Sequence, residues 1–439
     1  MDHLKTSEER KNRWYATNIE PNLLPVIDIE IKDNNVHQAQ LPNRVVDGIP
    51  FKYLHLPRVH EYMKTHLESN GYVVITEALS LSDCNHGLKL LWDYLEAASV
   101  AEKYLRSSQD DMSKEDDIEK KGMQDAKENT LRRCDPSTYD IVNFPRSVEG
   151  GILPFYGSGH TSFMWFLRSH PSVQKVFQLI HFNNSNPRSN DDELATSLDG
   201  LIAWLQPPSD KGWFHIDQNP ITKPNFESVQ GLVNLLPVDS TTGGNVLVER
   251  SQLLYPHHYI DSHEDGNLKN NEANKDLFYQ ERLKEINGDD WLEIDPYDHE
   301  LLNPANVISC KLGSGDILIW DSRLVHCSYP PKIDNASQRI VNDKALNERR
   351  GLLRAAGLVN MIPKSRVSGE NREKRIHSIN SCRTLTHWVN KASPLGEEKS
   401  EEASKEKNCV KFIRHMQEQY ENKVLLTFEE LSSDEKKLV

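Results

Sequence analysis

The sequence predicts a mainly β protein with flanking helices, an α+β fold built on a double-stranded β-helix, or jelly-roll, core. Eight short runs rich in β-branched and aromatic residues lie between 198 and 362, at 201–205, 212–216, 229–236, 245–249, 307–310, 316–320, 324–328 and 352–361. Turn signals separate them, among them Pro207-Pro208, Gly243-Gly244 and Gly313-Ser314-Gly315. No helical pattern of the βαβ kind intervenes, which favours an antiparallel double sheet.

The elements ahead of this core read as a helical layer. Residues 1–55 carry scattered Pro, Asn and Asp and predict an extended lead-in. Val59, Met63 and Leu67 then recur at helical spacing until Asn70-Gly71 stops the helix. Tyr72-Val73-Val74-Ile75 is a short strand, and Ser82-Asp83 caps a helix bearing Leu88, Leu91, Trp92 and Leu95. The run 108–130 has almost nothing to bury and predicts a solvated helix or loop. A helix over 161–181 contains Pro171, which predicts a break or fresh start there. A polar loop follows at 183–193.

A long insertion at 254–304, helical around 277–286, interrupts the β-rich core. Beyond it, a polar linker at 393–408 precedes an amphipathic stretch with Val410, Phe412, Ile413 and Met416. The chain therefore divides into the lead-in, a central domain at 56–365 and a C-terminal helical extension at 366–439.

Composition argues against several function classes without excluding them. A net charge of -14 offers no electrostatic footprint for nucleic acid or anionic membrane. The six cysteines include no CxxC pair and predict free thiols in a reducing compartment. The charged N-terminus does not read as a secretory leader, no apolar run approaches membrane-spanning length, and Lys437-Leu438-Val439 is not the Ser-Lys-Leu peroxisomal address. A cytoplasmic protein is expected; oligomeric state has no readable signal.

His215-Ile216-Asp217 stands at the end of one β-run. Residues two apart on a strand share a face, so an imidazole and a carboxylate can converge on one ion. His326 is the candidate third ligand. Two histidines and one carboxylate leave open coordination positions, a set suited to Fe(II). The tripeptide alone is a weak signal in a chain with 18 histidines, and His263-Glu264-Asp265 is a second instance. That one lies in an acidic, Asn-rich loop, whereas Trp213, Phe214 and Ile216 flank His215 with apolar surface. On the residues alone, a strand histidine bonded to its neighbouring carboxylate explains the pattern equally.

Several stretches together resemble the phytanoyl-CoA dioxygenase-like family of Fe(II)/2-oxoglutarate oxygenases. They are Asn70 to Ile75, Trp213 to Gln218, Gln230 to Leu235, Gly243-Gly244, Gly315 to Asp321 leading to His326, and Leu353-Arg354, in family order over 70–362. The resemblance implies that His215, Asp217 and His326 hold iron. It implies 2-oxoglutarate as co-substrate and O2 as oxidant, with succinate and CO2 released and a small or medium-sized organic substrate hydroxylated. Retention of Asp217 argues against the halogenating branch of such enzymes.

The resemblance also places an arginine on the last core strand to meet the far carboxylate of 2-oxoglutarate, with a hydroxyl two residues after the second histidine. Ser328 fits the hydroxyl. Arg354 fits the arginine because it sits in an apolar run where an unpaired charge is costly, although the gap from His326 is longer than usual for the family. Arg339, Arg349 and Arg350, the alternatives, lie in polar surroundings.

Asn234 and Gln218, polar among apolar neighbours, are candidates for holding co-substrate or metal-bound water. Trp213, Phe214 and Trp320 read as core or pocket wall, Tyr156 and His160 as loop-fixing, Cys327 as buried on the opposite face, and His257-His258 as outside the site. Two other readings remain open: a non-catalytic jelly-roll binding module, and a cupin-like zinc or manganese enzyme using the same triad.

Overall fold

The computed structural model describes residues 48–107, 130–148, 151–182, 193–205, 213–239, 242–260, 272–285, 291–329, 351–395 and 400–439. Most of the expected lead-in, almost all of the polar segments at 108–130 and 183–193, His263-Glu264-Asp265, and Arg339, Arg349 and Arg350 lie outside the described residues.

In chain order, β1 (Ile49–Pro50), α1 (Pro57–Asn70), β2 (Tyr72–Thr76), α2 (Leu81–Ser107), β3 (Ile152–Leu153), α3 (Ser162–Ser169) and α4 (Pro171–His181) precede the β-rich core. The core holds β4 (Leu194–Thr196), β5 (Leu201–Trp204), β6 (His215–Ile216), β7 (Val229–Asn234) and β8 (Gly244–Val248). Next come α5 (His257–Ile260), α6 (Glu272–Glu285), β9 (Leu292–Glu293), β10 (Val307–Ser309), β11 (Ile317–Asp321) and β12 (His326–Tyr329). The chain closes with β13 (Arg354–Val359), β14 (Met361–Pro363), α7 (Gly369–Ser381), α8 (Ser400–Met416) and α9 (Ser433–Lys437).

Local chemistry sets the boundaries. Gly71 ends α1 in the left-handed region, φ 86°, with its N–H donated to Leu67, a C-cap that glycine adopts without a Cβ penalty. Pro171 starts α4 rather than kinking a longer helix, and the His170 side chain caps it by accepting from the Ser172 N–H. Proline at the first helical position removes a donor that had no partner. Gly315 turns the chain at φ 86° so closely against Leu79 that a Cβ would stand 2.2 Å from the Leu79 carbonyl oxygen.

Two main sheets result. The larger runs β1-β2-β11-β7-β13-β5-β3, the smaller β10-β8-β12-β6-β9, and β14 pairs with β4 beside them. Among the described residues, every strand pair apart from the parallel β1/β2 edge is antiparallel. Strand alternation sorts each strand's side chains into two cores. Tyr72, Val74, Leu232, Leu318, Trp320 and Ala356 turn toward Leu247 and Ile308 of the smaller sheet. Val73, Ile75, Val233, Ile317, Ile319 and Ala355 turn the other way, against Leu91, Leu95, Phe163, Leu167 and Phe177 of the helical layer.

The insertion covers the outer face of the smaller sheet. Tyr259, Tyr279, Leu283 and Leu301 pack there on Ile216, Val246, Val248 and Cys327. Its helix is found at Glu272–Glu285, but β9 was not expected within it. The expected runs 212–216 and 324–328 shorten to β6 and β12, and 352–361 divides at Asn360 into β13 and β14. The C-terminal extension packs in two places: Cys409, Val410 and Ile413 lie with the helical layer, and Leu385 and Leu431 form a separate cluster with Trp165 and Leu198.

Candidate metal centre

His215 and His326 face each other directly across the antiparallel β6/β12 pair, with ring centroids 4.3 Å apart. His326 is also opposite Leu247, which places it on the face turned toward the larger sheet. Asp217 lies just beyond β6, its N–H donated to the Ser322 carbonyl at 3.0 Å. From there its carboxylate reaches His215 Nε2 at 3.4 Å and His326 Nε2 at 2.9 Å. One donor atom from each residue lies within 4.8 Å of the others.

The histidine tautomers follow from their outer partners. His215 Nδ1 meets the Trp213 carbonyl at 3.0 Å, and His326 Nδ1 meets the Leu324 carbonyl at 2.9 Å. A carbonyl only accepts, so each Nδ1 carries hydrogen and each neutral ring turns the Nε2 lone pair toward Asp217. Lone pairs facing a carboxylate repel unless a cation stands among them. Within the chain only a proton can do this: burial opposes charge on His326, but the adjacent Asp217 raises its pKa, and His326 and His215 in turn hold Asp217 well below the usual carboxylate range despite its burial. A divalent ion satisfies all three donors at once, so the residues fit a metal.

Gln230 Nε2 donates to Asp217 Oδ2 from β7 of the larger sheet and orients the carboxylate. Trp213 stacks on His215, 4.1 Å between centroids, and Trp320 lies 5.2 Å from His326. These rings flank the candidate metal site with apolar surface.

Arg354 opens β13 opposite Trp204, and its guanidinium packs 5.0 Å from that ring. It is fully buried. Nη1 donates to Ser328 Oγ at 3.0 Å, Nη2 to Asn245 Oδ1, and Nε has no partner. Among the described residues no carboxylate lies within ion-pair distance of it. Burial lowers its pKa to about 10, only partly offset by Cys310 and Cys327. A buried guanidinium held by two neutral oxygens keeps its charge uncompensated, and a carboxylate matches its fork.

Ser328 is on β12, two residues from His326, and paired with Asn245. The larger sheet's Gln230 and Arg354 and the smaller sheet's His326, Ser328 and Asn245 therefore meet in the space between the sheets. Asn234 faces the same interior: its Nδ2 donates to the carbonyls of Leu236 and Gly313, fastening the end of β7 to the turn before β11, while its Oδ1 is buried without a partner. Gln218 likewise knots a loop, donating to the carbonyls of Lys223 and Asn225.

Sequence reasoning missed Gln230, Asn245 and Trp204 as site residues. The alternation of β7 around Leu232 was the available signal for Gln230; the other two depend on strand pairing. His160 binds the Arg383 carbonyl, and His258 binds Asp298, both away from the triad. Cys327 is buried on the outer face of the smaller sheet, where burial pushes its thiol up.

A second buried carboxyl lies nearby. Asp199, 4% exposed, accepts from Ser197 Oγ at 2.8 Å, while Arg168 stays 3.9 Å away. Arg168 instead donates to the carbonyls of Gly159 and Asp199. Burial, with Asp217 adding to it, raises the Asp199 carboxyl to about 7 against the pull of Arg168 and Ser197.

No protein-family model matches the chain. Ava biosynthesis cluster protein O of Aspergillus versicolor is 27% identical over 197 residues, 44% of this chain, and the match spans 57% of that relative's length. Among solved structures, the hypothetical protein JW0805 of Escherichia coli aligns at 11% identity and TM-score 0.45, covering 84% of this chain and 86% of that one. GlcNAc Inducible Gene 2 of Candida albicans aligns at 10% and 0.42, covering 90% and 83%. The epimerase SnoN, in complex with Fe3+, alpha ketoglutarate and nogalamycin RO, aligns at 12% and 0.35, covering 78% and 98%. Each of these structural likenesses falls below a TM-score of 0.5.

Proposed function

We propose that the chain is an Fe(II)/2-oxoglutarate-dependent dioxygenase that hydroxylates a small or medium-sized organic molecule, with the two main sheets forming a double-stranded β-helix. One observation carries the reading: the His215–Asp217–His326 cluster and the carboxylate-free Arg354 open onto the same interior from opposite sheets. His215, Asp217 and His326 would hold iron, which supplies O2 activation coupled to oxidative decarboxylation of 2-oxoglutarate. Arg354, with Ser328 and Asn245, would bind the co-substrate's far carboxylate. Gln230 would orient Asp217, and Trp213 and Trp320 would exclude water. Asn234, its Nδ2 engaged with two carbonyls, would offer only its Oδ1 to this interior.

The curated relative's description as a biosynthesis cluster protein agrees with a small-molecule substrate. Six free cysteines agree with a reducing, cytoplasmic setting. Among the described residues no helix is long and apolar enough to cross a membrane.

Anaerobic mixing with Fe(II) and 2-oxoglutarate should give a weak visible charge-transfer band, lost in His215→Ala. A protein that binds Zn(II) or Mn(II) but never develops the band or releases succinate would instead be the cupin-like enzyme, and one that binds no metal the non-catalytic module.

A further inference from the structure

The segment after α7 brings polar atoms beside the triad that the fold does not use. Its backbone is fastened at several points: Leu385 N–H donates to the Leu198 carbonyl, Asn360 Nδ2 to the His387 carbonyl, Arg375 Nη1 to the Val389 carbonyl and Asn371 Nδ2 to the Asn390 carbonyl. Asn360 immediately follows β13, whose Val359 pairs with Gly231, the neighbour of Gln230. The segment is thereby delivered to the end of the larger sheet from which Gln230 reaches Asp217.

His387 lies on this segment next to Trp388, whose ring carries the Lys223 ammonium at 4.1 Å, while Gln218, the neighbour of Asp217 in sequence, donates to the Lys223 carbonyl. Asp217, His326 and His215 act electrostatically on its ring, and burial lowers its pKa to about 4. Nε2 is shielded and has no partner, although the residue as a whole is only partly buried. On either side in sequence, Thr386 Oγ1 and Trp388 Nε1 are also buried without partners. Three consecutive side chains with unmet polar atoms are unusual where buried polar groups are nearly always paired.

The neighbouring charges are already engaged. Asp217 faces two histidines and Gln230, and the Lys223 ammonium sits 4.1 Å over the Trp388 ring. Among the described residues a charged substrate group would find no free counter-charge here, whereas a neutral imidazole offers one donor and one acceptor. Trp213 on His215 and Trp388 beside His387, 4.6 Å between the latter rings, supply flat apolar surface.

We infer that His387 is a substrate-contacting residue of the metal site, hydrogen-bonding a neutral hydroxyl or carbonyl oxygen on an aromatic or polycyclic substrate. The C-terminal extension then completes the site rather than merely flanking it. This rests on the reading of the triad as an iron and 2-oxoglutarate centre.

The full chain, loaded anaerobically with Fe(II) and 2-oxoglutarate, is titrated with benzyl alcohol, acetophenone, toluene, benzylamine and benzoate, following the visible band. Benzyl alcohol and acetophenone should bind about 10-fold more tightly than toluene, the worth of one hydrogen bond to a buried group, and more tightly than either charged probe. His387→Phe should lose that preference and His387→Gln retain part of it, with the Fe(II)/2-oxoglutarate band unchanged in both. In parallel, Mn(II) should broaden the His387 ring resonances, assigned with His387→Gln. Equal binding of all probes to the unaltered protein, an unchanged preference in His387→Phe, or sharp His387 resonances with Mn(II) bound would overturn the inference. Absence of the band from the unaltered protein would instead strike the iron reading, while Mn(II) broadening still tests the placement of His387.

Discussion

Arg354 Nη1 donates to the Ser328 hydroxyl at 3.0 Å, joining the larger sheet to the smaller across their shared interior. Neither partner is charged in compensation, so the guanidinium is held in place without being neutralised. Arg354→Lys keeps the charge but loses the planar fork, and should weaken 2-oxoglutarate binding by about 10- to 100-fold, the worth of a charged hydrogen bond. Titration of the visible band reads this directly. An unchanged affinity would remove Arg354 from the co-substrate site and return attention to Arg339, Arg349 and Arg350.

Gln230 reaches Asp217 from the opposite sheet. Outer partners of ligating carboxylates typically contribute about 10- to 100-fold in metal affinity. Gln230→Ala should show a loss of that size in competition with a metal-sensitive dye, with secondary structure retained by circular dichroism. Metal affinity equal to that of the unaltered protein would mean that Asp217 is oriented by its backbone alone.

Metal should also stabilise the fold. The three donors converge only after β6 and β12 pair, so the ion binds the folded chain and not the unfolded one. At a free Mn(II) concentration of 100 times Kd the gain is about 2.7 kcal/mol. Denaturation followed with and without Mn(II) should show it, a chelator should reverse it, and His326→Ala should abolish it. A His326→Ala variant stabilised as much as the parent would place the ion elsewhere.

Asp199, a carboxyl outside the proposed ligand set, predicts a pH dependence of its own. Its carboxyl titrates near 7 in the folded chain and near 3.8 when unperturbed. The folded state therefore holds the proton more tightly, and Asp199's contribution to stability falls as pH rises from about 4 to about 7, then levels off. Asp199→Asn keeps an acceptor for Ser197 Oγ and removes the ionisation. Its stability relative to the parent, from urea unfolding at pH 4, 6 and 8, should increase across that window. Parallel curves for the two proteins would show that Asp199 is not titrating there.

Much of this architecture was legible because it is local. Period-two alternation along Tyr72-Val73-Val74-Ile75 and Ile317-Leu318-Ile319-Trp320 determines which side chains turn to the helices and which to the second sheet. Asn70-Gly71 and Pro171 carry their helix boundaries in their own backbone chemistry. His215-Ile216-Asp217 likewise brings two donors together through two residues of chain. Strand pairing decided the rest. His326 becomes a partner of His215 only because β12 and β6 align in one register, and a shift of one residue would put Cys327 there instead. Asn245 and Ser328 meet Arg354 across two sheets, Gln230 meets Asp217 in the same way, and β9 is too short to show a period. His387 arrives from a segment that the sequence marks only as an extension. Single-strand patterns specify which face a residue occupies, but not what stands opposite it; that follows from pairing energies summed over the whole sheet.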